Sequence, residues 1–291
     1  MTIRLYDDLK QDMAKDYLSG MSLASVAKKY SIPTTTVYNY LKGSIKIRTN
    51  RENSRKYAFD EDFFSFIDNE SKAYWLGFIW ADGYIVGKRK HNSPKVVLAI
   101  SEKDHKHLDK YKEAIKYTGP IRTYNVVGEK SYSKESSYCR ISIVSEKMFN
   151  DLVKIGLVEN KSNIITPPLI EEFWYKDFIR GFVDGNGSIV LDRVNNSLHN
   201  IKITSTISML DFILSFARQY NIGNKINVFN KRKPNHIVSS LTIGGGRQVR
   251  TLLQVLYGNA TVFLTRKYRR YLYIMKNIPS NCTEMYSVKG L

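Results

Sequence analysis

Apolar residues recur along this chain at two spacings, every third or fourth position in some stretches and every second position in others. Residues 7–42 show the helical spacing in three short segments. Asp7–Leu18 is polar and amphipathic and stops at Ser19-Gly20. Ser22 caps Leu23–Tyr30, where Leu23, Val26 and Ala27 fall at i, i+3 and i+4. Ser31-Ile32-Pro33 turns the chain into Thr34–Lys42, which ends at Gly43. From about residue 60 the pattern predicts a helix at 70–82, strands at 83–87 and 95–101, a helix at 102–117, strands at 120–127 and 137–144, and a helix at 146–156. The same order returns as a helix at 171–186, strands at 187–193 and 199–207, a helix at 208–221, strands at 224–230 and 236–243, and a helix at 247–257. A basic helix, Thr265–Asn277, closes the chain. Ser101 with Asp104, and Ser145 with Met148, read as helix starts.

The strands alternate. Ile201, Ile203 and Ile207 face one way, and Lys202, Thr204 and Thr206 the other. Ile226 and Val228 oppose Lys225 and Asn227; Ile141 and Ile143 oppose Arg140 and Ser142; Arg122 and Tyr124 share a face. Each sheet therefore has an apolar side to bury and a polar side to expose. Strands mixed with helices in this order predict an α+β fold with an antiparallel sheet in each half.

The halves are copies. Trp75–Ile85 matches Ile179–Ile189, and Gly77 and Gly181 are 104 positions apart. Ser101 with Ser205, and Gly119 with Gly223, keep that offset; Ile143 with Ile243, and Leu152 with Leu252, shift to 100. A repeat holding register over this length marks duplicated domains. The expected organisation is a three-helix unit (1–43), a basic linker (44–59), a first repeat (60–166) and a second repeat (167–291), with Pro167-Pro168 as the connector.

Charge then narrows the function. The 291 residues carry 45 Lys+Arg against 27 Asp+Glu, a net +18, and 12% aromatics. Such a balance points to a polyanion, above all nucleic acid. The apolar run at Trp75–Ala81 is far short of the ~20 residues of a membrane span. The start, Met1 to Asp8, turns acidic where a secretory leader would turn apolar, so the expected setting is cytoplasmic or organellar, not secreted. Cys139 and Cys282 make neither a disulfide framework nor a zinc site, and His105 and His107, at i and i+2, do not share a helix face.

The polar strand faces are the candidate DNA-reading surface, because Arg, Lys, Thr and Asn can bond base edges in a major groove. They offer Arg122, Tyr124, Arg140, Ser142, Lys202, Thr204, Lys225, Asn227 and Thr242. Residues 7–42 resemble the small helix-turn-helix DNA-binding modules, which implies that the third helix enters a major groove with Thr34, Thr35, Thr36, Tyr38, Asn39 and Lys42 on its edge. Arg48, in the basic linker, would follow the DNA backbone or minor groove.

The helix ending at Asp82-Gly83 is apolar nearly all round, so it must be buried on most sides. Gly77 with Ala81, and Gly181 with Gly185, give flat small-residue faces at i and i+4, which predicts that the two helices cross closely about a pseudo-twofold axis in a monomer. Asp82 then stands against the negative end of a helix dipole, a cost of a few tenths of a kcal/mol that a divalent cation would offset. Hard oxygen ligands suit Mg²⁺, or another divalent ion such as Mn²⁺ or Ca²⁺.

Trp75–Gly83 and Ile179–Gly187 resemble the paired signatures of the LAGLIDADG homing endonucleases, and the resemblance spans roughly residues 60–275. It implies two αββαββα repeats whose saddle of strands grips a long double-stranded DNA site, with Mg²⁺-dependent cleavage of both strands across the minor groove. It also implies metal-binding, catalytic acids at the eighth motif position, which maps to Asp82 and Asn186. Here the sequence departs from the family, since an amide brings no charge. Asp184, about 200° round the helix from Asn186, is no replacement. The departure fits a nicking enzyme, an inactive binder, or an active enzyme silenced by an Asp-to-Asn change. The family's basic helper residue, near the end of each last strand, maps most nearly to Lys147 and Arg247. Two rival functions use the same scaffold: a non-catalytic DNA-binding regulator and an intron RNA maturase.

Overall fold

The computed structural model describes residues 9–45, 47, 56–90, 93–127, 135–191, 199–223, 226–230 and 237–278. The chain divides into two units, Met1–Ala58 and Phe59–Leu291.

In the first unit, α1 (Lys10–Leu18), α2 (Leu23–Tyr30) and α3 (Thr34–Leu41) enclose a small core of Met13, Tyr17, Val26, Ala27, Ile32, Val37 and Leu41. Ser22 Oγ accepts the Ser25 amide at 3.0 Å and starts α2, and Ser31 ends it in the left-handed conformation at φ 55°. Tyr30 and Lys29 both donate to Asp16 of α1, at 2.7 and 2.6 Å. Asp7 and Asp8, where the first helix was expected to begin, lie outside the described residues.

The second unit has the α+β architecture twice. The first copy runs α4 (Glu70–Asp82), β1 (Gly83–Val86), β2 (Lys95–Ser101), α5 (His105–Ala114), β3 (Arg122–Val127), β4 (Glu135–Val144) and α6 (Glu146–Ile155). The second runs α7 (Tyr175–Asn186), β5 (Gly187–Val190), β6 (Asn200–Ser205), α8 (Ile207–Arg218), β7 (Ile226–Asn230), β8 (Ile237–Gly244) and α9 (Gly246–Tyr257), and α10 (Thr265–Asn277) follows. Both sheets are antiparallel with one strand order, β1-β2-β4-β3 and β5-β6-β8-β7.

Register places Ile85, Val96 and Ile143 in one row, and Ile189, Ile201 and Ile243 in its counterpart; all six are buried. Leu108 and Tyr111 of α5, Met148 and Leu152 of α6, and Leu252 and Leu253 of α9 are buried as well. Along α4, every residue from Ala73 to Ala81 is buried, including Trp75 and Trp80. Each such aromatic contributes roughly 1.5–3 kcal/mol. Asn69 accepts the Lys72 amide at 3.0 Å and fixes where α4 begins.

Three local expectations change. Ser101 makes no side-chain cap; a 3₁₀ turn, Glu102–Asp104, intervenes before α5. A second 3₁₀ turn, Glu172–Trp174, delays α7 to Tyr175. Thr206 and Ile207 are not strand residues. The Thr206 hydroxyl donates to Ile165 O at 2.5 Å and accepts the Met209 amide at 3.4 Å, so it caps α8 and ends the alternation. Among the described residues no helix is long and apolar enough to cross a membrane.

Candidate functional site

The site is built by the crossing of α4 and α7. A Cβ on Gly77 would lie 1.9 Å from Phe178 O, and one on Gly181 would lie 2.0 Å from Tyr74 O. The two backbones therefore touch, as only glycine permits. One turn further on, a Cβ on Gly185 would lie 2.3 Å from Ala81 Cβ and 3.3 Å from Asp82 Oδ2. The Asp82 carboxylate thus stands beside the last turn of α7, although 103 positions separate Asp82 from Gly185 in the chain. Both helices run straight into strands at Gly83 and Gly187, so each helix end is held over its own sheet.

Two buried lysines, which the motif reading missed, cap these helix ends. Lys161 Nζ donates to Ala81 O at 2.7 Å. Lys267 Nζ donates to Val183 O, Asp184 O and Gly187 O at 2.6, 2.5 and 2.6 Å. A cation at a helix C-terminus meets free carbonyls and the negative dipole end. Burial pushes both ammonium groups down to about 8; Asp82 draws Lys161 back up, and Asp184 does the same for Lys267. Burial raises the Asp82 carboxyl above its ordinary value, and the charges of Lys267, Lys161 and Arg266 oppose that rise. Arg266 is itself clamped by Asp104, with Nε 3.0 and 2.9 Å from the two carboxylate oxygens. The lysines escaped the motif reading because they come from unlike local structures, a 3₁₀ turn at Lys161–Asn163 and the first turn of α10.

Asn186 ends α7 and is exposed. Asp184 faces the core, where it accepts hydrogen bonds from Tyr257 OH at 2.6 Å, Tyr74 OH at 2.7 Å and the Leu264 amide at 2.7 Å. Three donors of this kind hold a buried carboxylate in place and keep it out of the site. Among the described residues no three His, Cys, Asp or Glu side chains gather as a ready-made metal cage. Of the two expected ligands, Asp82 is a half-buried carboxylate that could hold a divalent ion, and Asn186 is an exposed amide that could add only a neutral oxygen.

The polar strand faces carry several of the expected residues. Arg140 and Ser142 lie in β4, with Arg122 opposite Arg140 and Tyr124 opposite Tyr138 in β3. Val97, between Tyr84 and Ser142 in register, is buried, so this face is less uniformly basic than the alternation implied. In the second sheet, Lys202 pairs with Thr242, Thr204 with Ser240, and Asn227 with Ser240. Thr206, expected on this face, is the buried cap already described. Arg48 and Lys225 lie outside the described residues.

Lys147 belongs to α6 in the helix layer. It pairs with Asp62 at 2.6 Å and Asp151 at 2.7 Å and also meets Ser65, so local acids already neutralise it. Arg247 is exposed in the first turn of α9. In the separate first unit, Thr35, Tyr38, Asn39 and Lys42 are exposed along α3 and its end, and Thr36 is half-buried.

No family model matches this sequence, and no curated protein matches it. The chain is similar to solved structures of LAGLIDADG homing endonucleases. One is the meganuclease I-SmaMI bound to uncleaveable DNA, at 13% identity over 72% of this chain and 88% of that one, with a TM-score of 0.48. Another is the I-LtrWI LAGLIDADG homing endonuclease bound to target DNA, at 12% identity over 74% and 90%, TM-score 0.42. A third is a variant of I-DmoI with nicked target DNA in the presence of manganese, at 16% identity over 69% and 98%, TM-score 0.41.

Proposed function

We propose that this chain is a site-specific endonuclease of double-stranded DNA that uses a divalent cation, with only the Asp82 half of its site complete. The observation that carries this reading is the placement of Asp82 Oδ2 against the end of α7, with the charges of two buried lysines, Lys161 and Lys267, acting on it.

Asp82 is the residue that would hold the ion, together with phosphate oxygens. When bound, the ion supplies Lewis-acid polarisation of the scissile phosphate. Lys161 uses one donor on Ala81 O and, while protonated, keeps two N–H groups to set against charge developing on that phosphate. Lys267 places all three of its protons on carbonyls and so orients the end of α7. The polar faces of the two sheets would bind and align the duplex, and α3 of the separate first unit would lengthen the recognised site. With an amide at 186, one strand is the expected limit of cleavage.

The decisive experiment selects a target from a random duplex library and incubates it with Mg²⁺ or Mn²⁺ and either the native chain or Asn186→Asp. The native chain is expected to nick or leave the site whole, and Asn186→Asp to cut both strands. Adding Asp82→Asn to the second protein should abolish the cut. If Asn186→Asp binds its site tightly and leaves it intact, the protein is a DNA-binding regulator and the enzyme reading is wrong. Preference for structured RNA over every duplex would favour the maturase.

A further inference from the structure

The two strand faces are not equivalent where they should match. Across β3 and β4, Arg122 stands directly opposite Arg140, and Tyr124 opposite Tyr138. Across β7 and β8, the corresponding row is Asn227 opposite Ser240. Like charges directly opposed destabilise a sheet. Among the described residues, neither guanidinium forms a salt bridge with a carboxylate. Two adjacent cations held at this cost suit an anionic partner that presents paired acceptors.

The pair is also held in place. Arg140 Nη2 donates to Tyr124 OH at 2.6 Å, and its guanidinium carbon lies 4.4 Å from the Tyr124 ring centroid. Tyr124 stacks on Tyr138 with centroids 5.2 Å apart and planes 14° from parallel. Burial works to raise the Tyr124 phenol, but hydrogen bonding from Arg122 and the charge of Arg140 hold it below its ordinary value, so both arginines act on one ring. An arginine stacked on a ring has lost much of its rotamer freedom before any ligand arrives. Its remaining N–H groups form a flat fork that matches the paired acceptors O6 and N7 of guanine in a major groove.

We propose that Arg122 and Arg140 are the guanine-reading pair of the half-site under the first sheet, the matching row of the second sheet being Asn227 and Ser240. The target is then polar in the sense of direction, guanine-bearing on the Asp82 side and without that arginine pair on the other, where Lys202 and Thr242 face each other. The pair therefore fixes which strand meets Asp82. The inference rests on the DNA-binding reading above but not on cleavage, so a binding experiment tests it.

The whole chain, without divalent metal, is taken through selection from a random duplex library, beside Arg140→Ala, Arg140→Lys, Arg122→Ala and Tyr124→Phe. The native chain should enrich guanine at one or two adjacent positions in one half only. Arg140→Ala should weaken the guanine-bearing site by roughly ten- to hundred-fold and flatten preference at that position. Its affinity for sites with another base there should hardly change. Arg140→Lys should not restore the preference, because it lacks the fork; Tyr124→Phe should lower it in part. Equal loss across all sequences would make Arg140 a phosphate contact and overturn the proposal, as would a selected motif without one-sided guanine. Failure to select any duplex would overturn the DNA-binding reading with it, whereas a guanine motif in a protein that never cleaves would leave the proposal standing.

Discussion

Replacing Gly181 with alanine tests the helix crossing on which the site depends. The new Cβ would sit 2.0 Å from Tyr74 O and 2.9 Å from both Phe78 N and Tyr74 C, all backbone atoms of the opposing helix. Ordinary contact begins near 3.4 Å, so the two helices must separate by over an ångström, and no side-chain rotation can relieve the clash. Overpacking of this kind costs about 1–3 kcal/mol, and a backbone obstacle belongs at the upper end. Alanine's helix propensity returns about 1 kcal/mol. The net loss is about 2 kcal/mol, equivalent to a drop of about 4–8 °C in Tm for a unit of this size. Differential scanning calorimetry measures it, with Gly223→Ala as the control, since a Cβ there meets nothing within 4 Å. The displaced helix would also carry Asp82 away from the end of α7, so cleavage by the Asn186→Asp protein should fall further than stability does. A Gly181→Ala protein that melts with the native one would refute the close crossing and, with it, the placement of Asp82 beside the last turn of α7.

The two capping lysines should differ in weight. Lys267→Met strips three carbonyls of a partner and Lys161→Met only one, and each buried orphan costs ~1–3 kcal/mol, so chemical denaturation should rank Lys267→Met well below Lys161→Met. Equal losses would contradict the assigned contacts. His107 sets an acid limit. Burial among Trp75 and Phe78, with help from the charges of Lys110, Arg266 and Lys267, pushes its imidazole down to about 3. The unfolded chain therefore binds this proton first, so stability falls as pH drops below 6.5 and levels off near 3. Urea midpoints between pH 7 and 4 should decline less steeply for His107→Phe than for the native chain; parallel declines would refute the assignment. The lysines give the opposite end of the range. Held near 8, they lose protons in the folded state before the unfolded one, so stability should rise between about pH 8 and 10.5, and less so in Lys267→Met.

Much of this protein was legible in its residues one after another. Periodicity found α2, α4 and α10 at their true limits, because caps such as Ser22 and Asn69 and stops such as Gly83 act within one turn. Alternation assigned the faces of β4 and β6, and the 104-residue offset announced two copies of one fold. The small-residue spacing even predicted the glycines at the crossing, since close approach leaves a local signature. What failed locally was decided by partners far along the chain. Thr206 left its strand for the carbonyl of Ile165, and the register could not show that Lys147 would meet Asp62. Lys161 and Lys267 became neighbours of the site only after each half had folded. A hydrogen bond to a helix end needs a donor in reach, and the sequence does not record reach. The same holds for Arg122 and Arg140: alternation gave each its face, but only the register of β3 on β4 set two like charges side by side.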